Sequence, residues 1–135
     1  ISPLRDELWK NRAVFFEGFV RGFDALYPRS VAQLMGNRYT QLRPILDEAI
    51  EHRNKIFHGQ LTSKWLARDD LLGFVGEIRA WCENLARATH AEIEYDGFTD
   101  SFRKSTVVDL ARQLKVQLTD VPSYGQFIRE HMQRR

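Results

Sequence analysis

A chain of 135 residues is long enough to bury one real core, and 43% hydrophobic with 28% charged residues is globular rather than disordered composition. The single cysteine, Cys82, excludes an internal disulfide and gives no sign of an oxidising compartment. The net charge is only +2 but uneven: from Ser101 onward the chain carries +4, leaving −2 for the first hundred residues, which fits contact with a polyanion and equally a solvated helix face.

The first element opens with Ser2 as N-cap and Pro3 at the first helical position. Leu8, Phe15, Phe16, Phe19, Val20, Phe23 and Leu26 then recur at three- and four-residue spacing as far as Tyr27-Pro28. That pattern predicts one long amphipathic helix, with the phenylalanines as core material. Gly18 and Gly22, four apart, leave room for another helix to approach closely. A short helix is expected over 29–34, broken at Gly36-Asn37.

The second long helix has Thr40 as a possible N-cap and Pro44 in or near its first turn, where proline is tolerated. Leu42, Ile45, Leu46, Ala49 and Ile50 mark its apolar stripe, and the same period continues through Arg53, Ile56 and Phe57. An arginine is thus expected in line with the buried face. Gly59 falls where a C-terminal cap belongs, which leaves His58 at the helix end. After a linker over 60–64, Asp69 or Asp70 can cap a third helix, with an earlier start around Ser63 as the alternative. In it Leu71, Phe74, Val75, Ile78, Trp81, Cys82 and Leu85 keep a helical period. It is expected to run to about Ala91 or Glu94, with Cys82 as a small buried hydrophobe.

Tyr95-Asp96-Gly97 marks a turn, and a further helix is expected over 103–115 with Val107, Val108, Leu110, Ala111 and Leu114 inward. Pro122-Ser123 punctuates before a short final helix over 124–132. A departure from helix is expected at 115–119, where Val116 and Leu118 alternate with polar residues. The expected fold class is all-α, a bundle of four to six helices in a single domain over 1–135. Its core is 1–95, and 101–135 forms a basic helical extension.

Several chemistries lack their motifs. There is no CxxC or HExxH spacing for zinc, no GxxxxGK[ST] or GxGxxG phosphate loop, and no GxS in a strand-turn-helix setting. No metal and no cofactor is therefore expected. No apolar run reaches the roughly 18 residues of a membrane span, and no charged-then-apolar leader opens the chain. Ile1 in place of methionine fits a processed product or a domain cut from a longer chain, and a cytoplasmic location is expected. Of the four histidines, His90 and His131 read as solvent-facing, and His52 as a flank to Arg53.

Arg53 and His58 remain. Five residues along a helix is a rotation of roughly 140°, so the two do not share a face of one straight helix. Either the helix end unwinds, or each meets its counterpart from a second chain. The plainer alternative is that Arg53 reaches out from the core edge and His58 complements the helix dipole.

The stretch Arg53-Asn54-Lys55-Ile56-Phe57-His58, at the end of the second long helix and before a glycine, resembles the R-x(4–6)-H signature of the HEPN superfamily. The likeness in helical context covers about residues 1 to 95. It implies a metal-independent endoribonuclease, often a toxin or an effector of defence against phage, in which two protomers face their motifs across one composite site. A homodimer and an RNA substrate follow from it, with an antitoxin or regulatory domain as a possible partner. On this likeness Arg53 and His58 are catalytic, Asn54 orients a phosphate or the histidine, and Lys55 attracts substrate.

The residue types suit that chemistry. RNA carries its own nucleophile, the 2′-hydroxyl, so the protein must supply a proton carrier and a cation. Histidine can do the first near neutral pH. Arginine does the second, gripping phosphate oxygens with two parallel donors. The alternative function is a non-catalytic helical module that binds RNA or a partner protein, which needs neither Arg53 nor His58.

Overall fold

The computed structural model describes residues 2–11, 14–60, 65–95, 97 and 110–133. Its regular elements are α1 (Ser2–Lys10), α2 (Phe16–Leu26), α3 (Val31–Met35), α4 (Asn37–Phe57), α5 (Arg68–Ile93), α6 (Leu110–Gln113) and α7 (Val121–Phe127). A π-helical segment, Ile128–Met132, continues α7. The chain is all-α, as its periodicity predicts, and the described residues contain no strand. None of these helices is long and apolar enough to cross a membrane. The chain divides into two compact units, one of residues 1–31 with 106–135 and the other of residues 32–105.

In the first unit the expected long helix is two. α1 ends at Lys10 and α2 starts at Phe16, with Asn11 closing α1 by donating from its side chain to the Glu7 carbonyl at 2.7 Å. Val14 then makes an isolated bridge to Gln133, whose side-chain amide donates to Asn11 Oδ1 at 2.6 Å. These contacts are made by residues more than a hundred positions away, which no local period can register.

The α2 glycines do what their spacing suggests. A Cβ at Gly18 would collide with the carbonyl oxygen of Met132, and one at Gly22 would meet the Met132 side chain. Two missing side chains let the C-terminal segment lie directly on α2. Arg21, on the same helix, donates to the carbonyls of His131 (3.2 Å) and Gln133 (2.8 Å). It places a cation where a helix end carries unpaired carbonyls. Ile128 is fully buried, with Phe127 and Met132, among Leu8, Val14, Ala25, Leu26, Val116, Leu118 and Tyr124. The stretch 115–119 forms no strand. It is tied down where the Lys115 N–H donates to the Leu26 carbonyl at 2.9 Å and the Lys115 ammonium to the Asp24 carbonyl at 2.7 Å. Pro122 does not break the chain here but lies in the first turn of α7, where its missing N–H costs nothing. Of the helix expected over 103–115, residues 101–109 lie outside the described residues, and α6 is the part observed.

In the second unit α4 and α5 pack antiparallel: Tyr39 meets Trp81 at 5.4 Å between ring centroids, and His52 meets Phe74 at 5.2 Å. Leu42, Leu46, Ala49 and His52 are the buried positions of α4, and Trp81 that of α5. α4 begins at Asn37, earlier than Thr40 suggests, after Gly36 takes a left-handed φ of 55°. The α5 stripe is broader than what α4 covers. Phe74 and Trp81 point inward, whereas Leu71, Val75 and Ile78 are exposed and Cys82 only half-buried. One step along a helix turns a side chain by about 100°, so Val75 cannot share the direction of Phe74.

Adding one methyl group should have opposite effects at two glycines. Gly18→Ala should destabilise the protein by roughly 1–3 kcal/mol, because the backbone of Met132 has to move. Gly76→Ala, on an open face of α5, should stabilise it by about 0.5–1 kcal/mol. Urea denaturation of the two variants checks both signs.

A second expectation concerns acid. Asp120 caps α7, accepting from the Ser123 N–H at 2.8 Å, and this hydrogen bond holds its carboxyl below the ordinary value of 3.8. A lowered folded-state value means the cap stabilises the fold above pH 3.8 and loses that effect as pH falls further. Thermal melts taken from about pH 6 to about pH 3 should show a smaller acid loss in Asp120→Asn than in the parent chain.

Candidate functional site

The C-terminal turn of α4 is closed by backbone geometry alone. The Gln60 N–H donates to the Lys55 carbonyl at 2.8 Å and the Gly59 N–H to the Ile56 carbonyl at 3.1 Å, while Gly59 adopts a φ of 64°. This six-to-one and five-to-two pair is a Schellman motif, and it needs glycine because a Cβ is strained at that φ. It satisfies two carbonyls the helix would otherwise leave open. It also fixes His58 as the capping residue, with φ −91° and ψ 7°.

The motif residues then separate by face. His58 is exposed, and its side chain makes no hydrogen bond or ion pair among the described residues. Arg53 is exposed as well, and the expected place for it in line with the buried face is corrected: the position turned inward is His52, one residue earlier. Arg53 donates from Nη1 to Asn54 Oδ1 at 3.0 Å, and its guanidinium carbon lies 4.3 Å from the centroid of the Phe57 ring. No carboxylate pairs with it among the described residues. Lys55 is engaged, with its ammonium 2.6 Å from Glu51. Its hydrogen bond, with its charge, holds the Glu51 carboxyl below the ordinary carboxylate value.

Two residues do more than their sequence positions suggest. His52 is not a flank. It is 4% exposed, packed on Phe74, with Nε2 3.5 Å from Glu48 and Nδ1 buried without a hydrogen-bond partner among the described residues. The spacing of Leu42, Leu46 and Ala49 already leads to position 52 or 53, and only the packing of α5 chooses between them. Phe57 is the other. It is 74% exposed, and its spacing of four from Arg53 puts ring and guanidinium on one face, which a spacing of five denies to His58. His131 is half-buried against the Phe127 ring at 4.8 Å, and His90 is exposed.

A separate open groove of about 550 Å³ lies between the N-terminal half of α5 and the middle of α4. Its walls include Trp65, Leu66 and Phe74 together with Glu48, Asp69, Asp70 and Glu77, and none of Arg53, Asn54 or His58. Four carboxylates make it a poor seat for a polyanion. Among the described residues no group of three or more His, Cys, Asp or Glu is placed to hold a metal ion.

The divergence of neighbours on α4 is measurable. His52→Ala removes a buried ring and should cost on the order of 2–4 kcal/mol. Arg53→Ala loses an exposed cation–π contact and should cost about 1 kcal/mol or less. Chemical denaturation of the two single variants should show this gap. No family model, curated protein or solved structure matches this chain, so the chemistry open to Arg53, Asn54 and His58 rests on their own geometry.

Proposed function

We propose that this protein is a metal-independent endoribonuclease of toxin or phage-defence type, working through Arg53 and His58 in the manner the HEPN-like motif implies. The observation that carries the reading is the pairing of two exposed groups at one helix end. One is an arginine that no carboxylate neutralises among the described residues, and the other is a histidine whose ring has both nitrogens open. Neither serves the core, since His52 fills the inward position beside them.

The reaction needs little more. The 2′-oxygen of a ribose attacks the adjacent phosphorus, a new O–P bond forms, and the bond to the 5′-oxygen breaks. One imidazole takes the 2′-hydroxyl proton and another delivers a proton to the leaving 5′-oxygen, giving a 2′,3′-cyclic phosphate and a 5′-hydroxyl end. The guanidinium of Arg53 holds the phosphoryl oxygens as charge builds on them. Asn54 steadies Arg53 through the side-chain hydrogen bond they share. Because Arg53 and His58 of one chain do not share a helix face, the two protomers of a homodimer complete the site, each supplying one histidine. Ile56, exposed at this helix end, is apolar surface suited to such a meeting.

Purified protein incubated with total RNA in EDTA should cleave it, and His58→Ala should fall by roughly 10²–10⁴ in rate. Loss of an exposed capping histidine costs at most about 1 kcal/mol of stability, too little to mimic that effect by unfolding. Arg53→Lys keeps the charge but not the two-pronged grip, so it should stay well below the parent. Normal cleavage by His58→Ala, or its arrest by EDTA, sinks the reading.

Light scattering across a concentration series should return the mass of a dimer. A strict monomer that still cleaves RNA would remove the composite site.

A further inference from the structure

Phe57 is conspicuous for what it does not do. An aromatic ring that is 74% exposed, on the last residue of a helix, adds almost nothing to the packing of α4 on α5. It stands directly between the two residues of the proposed site, following Arg53 by one helical turn and preceding His58 by one position. One face of its ring carries the Arg53 guanidinium at 4.3 Å. No other aromatic or cationic partner meets the ring among the described residues.

From this we infer that Phe57 is a base-stacking residue, so the substrate is unpaired RNA: a nucleobase lies on the open face of the ring while Arg53, on the other face, holds the neighbouring phosphate. The inference rests on the ribonuclease reading and names its substrate class. Three physical points support it. Every base has a flat π-face, so stacking on an exposed ring gives affinity without sequence preference. The ring's negative face attracts the guanidinium, which sets Arg53 beside the stacked base before RNA arrives. Bases of a duplex are already stacked on one another, and A-form RNA presents its backbone rather than its base faces, so a paired strand cannot use this ring. The acidic groove on α4 and α5 repels the same backbone, leaving the α4 end as the favoured approach in this unit.

The test measures binding in a His58→Ala background, so that no probe is consumed, and cleavage in the parent chain. Three fluorescent probes of equal length are compared by anisotropy: a single-stranded oligoribonucleotide, the same strand annealed to its complement, and an abasic ribose-phosphate strand. The protein with Phe57 should prefer the base-bearing single strand to the abasic one by about 10- to 100-fold. Phe57→Leu, which keeps an apolar side chain but no ring, should lose that preference, and Phe57→Trp should keep it. In cleavage assays Phe57→Leu should raise KM for single-stranded RNA by a similar factor.

The inference is overturned if Phe57→Leu retains the preference, or if duplex binds as well as single strand. It is also overturned if Phe57→Leu converts a dimer to a monomer, which would make the ring an interface residue. These failures differ from failure of the ribonuclease reading. That reading falls if His58→Ala cleaves normally, whatever Phe57 does.

Discussion

A helix turns its side chains by about 100° per residue, and on α4 that single step separates two neighbours with opposite roles. His52 faces Phe74 and is almost wholly buried, whereas Arg53 stands in solvent. The rest of the site follows from where that boundary falls. With His52 inward, Arg53 and Phe57 share an outward face, and the cap that ends the helix presents His58 beyond them. Were the register one residue later, the guanidinium would be buried without a carboxylate and the histidine would be the surface group. Burying an unpaired guanidinium, which stays charged, is far more costly than burying an imidazole ring. The packing of α5 on α4 therefore selects the register that frees the arginine.

Backbone chemistry does for the helix end what side-chain packing does for its middle. Arg53 and Asn54 are steadied by each other and by the Phe57 ring, and His58 is fixed by hydrogen bonds that involve no side chain at all. The Schellman motif with Gly59 in the left-handed region holds the capping backbone while its imidazole stays unengaged among the described residues. On the proposed ribonuclease reading that combination suits proton transfer, because a fixed backbone limits the search and an open ring leaves both nitrogens for substrate. The ion pair of Lys55 with Glu51 has the contrary character. It is a partly exposed i,i+4 pair of small energetic weight, and it leaves Lys55 with less net field to offer an anion than Arg53.

The first unit relies on absence of side chains. Gly18 and Gly22 open a strip of α2 onto which Met132 lies, and Arg21 bonds the carbonyls of His131 and Gln133 beside it. A hydrophobic contact, a steric allowance and a charged donor thus converge on residues 18–22 of one helix. They explain why the C-terminal residues pack on α2, although their sequence carries only a weak apolar period of its own.

What the sequence determined by itself was local in origin. The helical periods of 71–85 and 42–50, the left-handed glycine after His58 and the four-residue spacing of Gly18 and Gly22 all depend on residues within a few turns of one another. Pro44, expected in or near the first turn, instead lies inside α4, because that helix already starts at Asn37. The R-x4-H spacing was equally visible, and so was the conclusion that its two ends point in different directions. Tertiary structure decided the rest, since each remaining choice depends on a partner distant in sequence. The break between α1 and α2 is sealed by Gln133, the burial of His52 in place of Arg53 is set by Phe74, and Leu71, Val75 and Ile78 are left exposed because α4 covers only one side of α5. Periodicity reports that a stripe is apolar. Only the element packed against it determines which edge of that stripe is buried.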